Sequence, residues 1–158
     1  MSHNGYIEKI ATQALQRVDL NEIPVPVEKI AKVFGLEVVE FPFHNKISGL
    51  LKKEDGIIGV NQNHHPVRRR FTIAHELGHF LLGHGLGDVA QEEIIDDSFD
   101  KSHPQEREAN QFAASLLMPS DLIKKEIKKN GMDVETLSKT FGVSKQAITI
   151  RLLDLKLI

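Results

Sequence analysis

The segment Arg68 to Phe80, RRRFTIAHELGHF, places two imidazoles and a carboxylate at a spacing that suits a divalent metal. His75 and His79 are four residues apart, so on a helix they project from one face one turn apart, as two ligands of one ion must. Glu76 follows the first of them. A carboxylate beside a zinc-bound water can take its proton and later deliver it to a leaving amine, and zinc lowers the pKa of that water from 15.7 to about 7. The chemistry implied is peptide-bond hydrolysis. HExxH also arises on ordinary surface helices, and this chain has eight histidines, so the flanks matter. Phe71, Ala74, Leu77, Leu81 and Leu82 recur at helical spacing, and Gly78 lets a neighbouring backbone come close. A buried helix carrying two imidazoles needs partners for them, because unpartnered polar groups in a core cost stability.

A catalytic zinc usually takes three protein ligands and keeps a position for water, and two histidines with a glutamate are an established set. The next helix, PQEREANQFAASLLM, opens at Pro104 and ends at Pro119. Its apolar side comprises Ala109, Phe112, Ala113, Leu116 and Leu117, with Glu106 and Glu108 near the edges. Spacing alone leaves both glutamates open, although by angle Glu106 lies nearer the middle of the apolar stripe. A charged first turn complementing the helix dipole accounts for at least one of them.

Several elements must position these residues. Ile7, Ile10, Ala11, Ala14, Leu15 and Val18 predict a helix from Gly5 to Val18, capped by Asn4 or Ser2, and Val27, Ile30, Ala31 and Phe34 a second that Gly35 closes. Leu36 to Phe41, Ile47 to Lys53 and Ile57 to Asn61 read as three short strands, the last two joined at Glu54-Asp55-Gly56. The edge near Ile57 to Val60 is the place where a substrate strand would add. Between His84 and Pro104 periodicity fails, and Asp88, Glu92, Glu93, Asp96, Asp97 and Asp100 describe a solvated loop. A lid over the metal, Asp88 to Asp100, is the lesser expectation there. Helices follow from Asp121 to Lys129, Val134 to Phe141 and, capped by Ser144, to Leu155; the last two have the outline of a helix-turn-helix about Gly142. Val143, Ala147, Ile148 and Leu152 face inward there, leaving Lys145, Gln146, Thr149 and Arg151 outward. The fold class expected is α+β: a mostly helical core with a small three-stranded sheet over residues 1–119, then a helical subdomain over 120–158.

The chain has 158 residues, a formal net charge of -2 and no cysteine. The charge argues against a strongly basic nucleic-acid binder, and the missing cysteines exclude disulfides and thiolate-ligated zinc. The opening MSHNGYIEKI lacks the pattern of a signal peptide, and no apolar run approaches a membrane span, so a cytoplasmic protein is expected.

RRRFTIAHELGHFLL, then EREANQFAASLLMP, then VSKQAITIRLLDL, in that order from about Val25 onward, resembles the ImmA/IrrE family of zinc metallopeptidases. The resemblance implies one Zn2+ per chain held by His75, His79 and a glutamate, with Glu76 activating water. Related peptidases share a Glu-Ala step on the ligand helix, which here is Glu108-Ala109, and this moves the expected third ligand to Glu108. The resemblance also implies narrow cleavage of a partner helix-turn-helix repressor of a prophage or mobile element, relieving repression, by a compact member without the sensor-like domain of radiation-response members. The alternative is a non-proteolytic regulatory module, its metal structural, that binds DNA or a protein through its C-terminal helices. Candidates for stabilising the tetrahedral intermediate are His84, His103, Tyr6 and Arg70.

Overall fold

The computed structural model describes residues 3–19, 23–84, 90–92 and 103–158. Helix α1 (His3–Leu15) starts and ends earlier than its apolar periodicity predicts, and Asn4 lies inside it rather than capping it; Ser2 is outside the described residues. After α2 (Val27–Val33), β1 (Glu37–Phe41), β2 (Gly49–Lys52) and β3 (Ile57–Asn61) form a sheet that a short β4 (Ala90–Glu92) completes. The sheet therefore has four strands, one more than expected, in the order β1-β3-β2-β4. β1 runs parallel to β3, with Glu37 opposite Ile57, and β2 is antiparallel to both β3 and β4.

This order corrects one expectation. Ile57 to Val60 is not an edge: β3 is flanked on both sides, and Ile58 and Val60 are buried. The outer strands are β1 and β4. The acidic segment expected as a loop or lid lies outside the described residues, apart from the backbone of β4.

Helix α3 (Pro66–Leu81) carries HELGH and passes through the middle of the molecule. Pro66 occupies its first turn, where a missing N–H costs nothing, and His65 Nδ1 accepts the otherwise orphaned N–H of Val67 at 3.1 Å. Every residue from Thr72 to His79 is buried, because α3 is covered by β2 and β3 on one flank and by α4 (Pro104–Leu117) on another. Ala74, Leu77, Phe112, Ala113, Leu116 and Leu117 fill the α3–α4 seam and its surroundings as their spacing predicts. Gly78 is required there, although its neighbour is a side chain rather than a backbone: a Cβ at this position would stand 2.9 Å from Phe112 Cδ1.

The C-terminal helices α5 (Ser120–Asn130), α6 (Val134–Phe141) and α7 (Lys145–Asp154) follow the predicted order. Ser144 caps α7, its hydroxyl accepting from the Ala147 N–H at 3.0 Å, and Gly142 turns the chain with φ of 64°. Arg151, read as outward from the sequence, is buried instead. Its guanidinium pairs with Glu8 of α1 at 2.7 Å and donates to the Met118 carbonyl at 2.9 Å. Among the described residues no helix is long and apolar enough to cross a membrane.

Candidate metal centre

On α3, His75 and His79 turn their Nε2 atoms toward each other, 3.1 Å apart. The acidic group that meets them is Glu106, from the first turn of α4. Its Oε2 lies 3.2 Å from His75 Nε2 and 2.5 Å from His79 Nε2. Among the described residues these three form the group able to hold a metal ion. Both imidazoles are buried, while the Glu106 side chain is 27% exposed. Glu76 is also buried, with both carboxylate oxygens withdrawn from solvent.

Glu108, the expected acidic ligand, is not at the imidazole pair. Two residues along a helix is a rotation of about 200°, which carries Glu108 off the face that Glu106 shares with Ala109, Asn110 and Ala113. Its Oε1 meets His84 Nε2 at 2.7 Å and its Oε2 meets His3 Nε2 at 2.5 Å.

The outer nitrogens of both imidazoles are occupied. His75 Nδ1 donates to Asn110 Oδ1 at 2.7 Å, and His79 Nδ1 lies 2.8 Å from His84 Nδ1. Asn110 and His84 were not assigned these roles by the sequence. The signal for Asn110 was its place one turn after Glu106 on the same helix face. For His84 it was the Gly83-His84 pair directly after the helix.

Charges follow from these contacts. Burial opposes ionisation of Glu106, but hydrogen bonds and charge from His75 and His79 outweigh it and hold the carboxyl well below the usual range. Burial likewise opposes charge on Glu108, and its bonds to His84 and His3 prevail, lowering its pKa. For His84 burial is the largest influence and lowers the pKa, against the opposing pull of Glu108.

These donors fit a zinc ion. With bonds of 2.0–2.2 Å, tetrahedral ligands stand roughly 3.3 Å apart, close to the 3.1 Å and 3.2 Å spacings that His75 Nε2 makes. The contact between His79 and Glu106 is tighter, a hydrogen-bond rather than a ligand–ligand spacing. With Nδ1 protons directed outward, the Nε2 lone pairs converge on a carboxylate, and three such acceptors need a shared positive charge, a proton or a metal.

Of the four candidates for stabilising an oxyanion, His84 is engaged by His79 and Glu108. Arg70 donates to the carbonyls of Gly142 and Phe141, at 3.3 Å and 3.5 Å. Tyr6 is half-exposed on α1, and His103 occupies the N-cap of α4.

An α+β domain in which an HExxH helix and a glutamate-bearing second helix converge defines the class: a domain built around a group of side chains able to hold a metal ion. Residues 31–153 match the Peptidase_M78 family, the IrrE N-terminal-like domain, and the chain belongs to it. The radiation response metalloprotease IrrE of Deinococcus deserti is 35% identical over 95 residues, covering 56% of this chain and 31% of that protein. Its namesake from Deinococcus radiodurans is 34% identical over 86 residues, covering 52% of this chain and 25% of that protein. The chain thus matches less than a third of the length of either relative. A solved structure described as a Mycobacterium tuberculosis transcriptional regulator shares the fold, with a TM-score of 0.62 at 18% identity over 94% of this chain and 46% of that one.

Proposed function

We propose that this protein is a zinc-dependent endopeptidase of narrow specificity, with His75, His79 and Glu106 as metal ligands and Glu76 as general base. The observation that carries the proposal is the convergence of the two HELGH imidazoles of α3 with Glu106 of α4. Family membership and the metalloprotease relatives support hydrolysis as the use of that centre. When bound, zinc supplies Lewis acidity, activating a water and polarising the scissile carbonyl. The protein's own part is positional and protonic. Asn110 and His84 hold the two ligand rings, Glu106 supplies negative charge, and the Glu76 carboxylate takes a proton and returns it to the departing amine. Two imidazole nitrogens with a single carboxylate favour zinc over manganese, which prefers oxygen-rich octahedral sites.

The substrate proposed is a cytoplasmic helix-turn-helix repressor of prophage or mobile-element type, a reading supported by the resemblance of the paired motifs to ImmA/IrrE peptidases. Extended substrate backbone would add at an outer strand, β1 or β4, since β3 is enclosed. The test is incubation with the repressor encoded beside this gene, with zinc and with a chelator. Fragments are expected with zinc alone, and Glu76→Gln should retain zinc while cleaving about 100- to 10,000-fold more slowly. Equal cleavage by Glu76→Gln and the parent would overturn the assignment of the base. A repressor left intact with zinc, together with a shift of operator DNA, would support the regulatory-module alternative.

A further inference from the structure

His84 has a position that the ligand set alone does not explain. Helix α3 ends in a Schellman turn: the Gly83 N–H donates to the Phe80 carbonyl at 3.3 Å and the His84 N–H to the His79 carbonyl at 3.1 Å, with Gly83 at φ of 69°. This turn folds the chain back so that the His84 ring lies edge-on to the His79 ring, centroids 5.0 Å apart. Lys53, from the β2–β3 turn, donates to the His84 carbonyl and fixes the backbone from the other side.

The protons along this chain of contacts can be placed by elimination. A metal-ligating His79 presents its Nε2 lone pair to the ion, so its proton sits on Nδ1 and is donated to His84 Nδ1 across 2.8 Å. With its Nδ1 accepting, His84 carries its own proton on Nε2 and donates it to Glu108 Oε1 across 2.7 Å. This order leaves the His79 Nε2 lone pair for the ion that His75 and Glu106 would share with it. Reversing either hydrogen bond would put a proton where a metal ligand needs a lone pair.

We propose that Glu108 and His84 form a positioning relay for His79, fixing its tautomer and ring orientation and thereby setting the affinity of the centre for zinc. A metal-bound histidine usually donates its outer N–H directly to a carboxylate or carbonyl; here a second imidazole is interposed, and the Schellman turn at Gly83 supplies it. Glu108 thus acts at one remove from the metal. The inference rests on the ligand assignment proposed above.

The experiment is a zinc competition titration against a chromophoric chelator, with the parent, Glu106→Ala, Glu108→Ala, Glu108→Gln, His84→Ala and the His84→Ala/Glu108→Ala double variant. His84→Ala should bind zinc about 10- to 100-fold more weakly. Glu108→Ala should lose less, Glu108→Gln should recover most of that loss because its amide oxygen still accepts from His84, and the double variant should be no weaker than His84→Ala. A purely structural role would not move the second readout: in the proton spectrum of the zinc-loaded parent, the exchange-protected His79 Nδ1–H resonance should shift in Glu108→Gln and vanish in His84→Ala. Glu108 is partly exposed, so its variants test the relay even if His84→Ala folds poorly. Parent-like affinity and an unmoved resonance in Glu108→Ala, with Glu106→Ala unable to bind, would overturn the relay and leave the ligand assignment standing. Loss of binding in Glu108→Ala but not in Glu106→Ala would make Glu108 the direct ligand and overturn both. A parent that binds no zinc would overturn the metal centre itself.

Discussion

Each imidazole proposed as a ligand has an acceptor for its outer proton, and for His75 Asn110 Oδ1 serves at 2.7 Å. Asn110→Ala should therefore weaken zinc binding about 10- to 100-fold, whereas Asn110→Asp, which retains an acceptor, should stay nearer the parent; the same chelator titration measures both. Equal losses in the two variants would mean that packing rather than the acceptor matters. Much of this centre was legible in the sequence. The four-residue spacing of His75 and His79 specified a common helical face, and the angle of Glu106 on α4 already placed it nearer the seam than Glu108. The Glu-Ala step drew the expectation to Glu108, a residue that points elsewhere because two positions along a helix reverse its direction. The relay partners were less legible. His84 reaches His79 only through backbone geometry after the helix ends, and no periodicity reports that.

Between elements, the centre exists because α3 and α4 are held at a separation set by Gly78 and Phe112. An added Cβ at Gly78 would meet Phe112 Cδ1 at 2.9 Å and its Cβ and Cγ at 3.2 Å, in a wholly buried seam. Gly78→Ala gains about 1 kcal/mol of helix propensity but overpacks the seam at a cost of about 1–3 kcal/mol. The expected net is destabilisation of about 1 kcal/mol by denaturant unfolding, with weaker zinc binding as the histidine helix is pushed from Glu106. Adding Phe112→Leu should restore part of both losses, and failure to do so would place the strain elsewhere. The helices were readable because each shows its apolar stripe within its own sequence. Strand order was not, since β1 pairs with β3 past the intervening strand β2 and pairing at that range leaves no local mark. One cue existed: Ile57, Ile58, Gly59 and Val60 form a continuous run without polar alternation, the pattern of a strand covered on both faces and hence of a central one.

Across the whole molecule, a partly buried ion pair ties the first helix to the last. Arg151 of α7 holds both Glu8 oxygens, at 2.7 Å and 3.2 Å, while Ser115 of α4 donates to the same carboxylate at 2.7 Å. Three helices are thereby locked together, and α4 is the one that presents Glu106. Burial of the Glu8 carboxyl raises its pKa, but the hydrogen bonds from Arg151 and Ser115 and the Arg151 charge together carry it below its ordinary value. A carboxyl whose folded pKa is depressed stabilises the fold fully above its unfolded pKa, about 4.3 for glutamate, and that contribution disappears as pH falls through the lower folded value. Since Glu8 is about a third exposed, solvent screening limits the expected effect, and Glu8→Gln should cost about 1–2 kcal/mol at pH 7. Urea unfolding of parent and variant across a pH series should show this gap constant from pH 7 to about 5, then closing below about 4. If the gap instead persisted unchanged to about pH 3, the clasp would owe its strength to shape and hydrogen bonding alone rather than to the charge on Glu8.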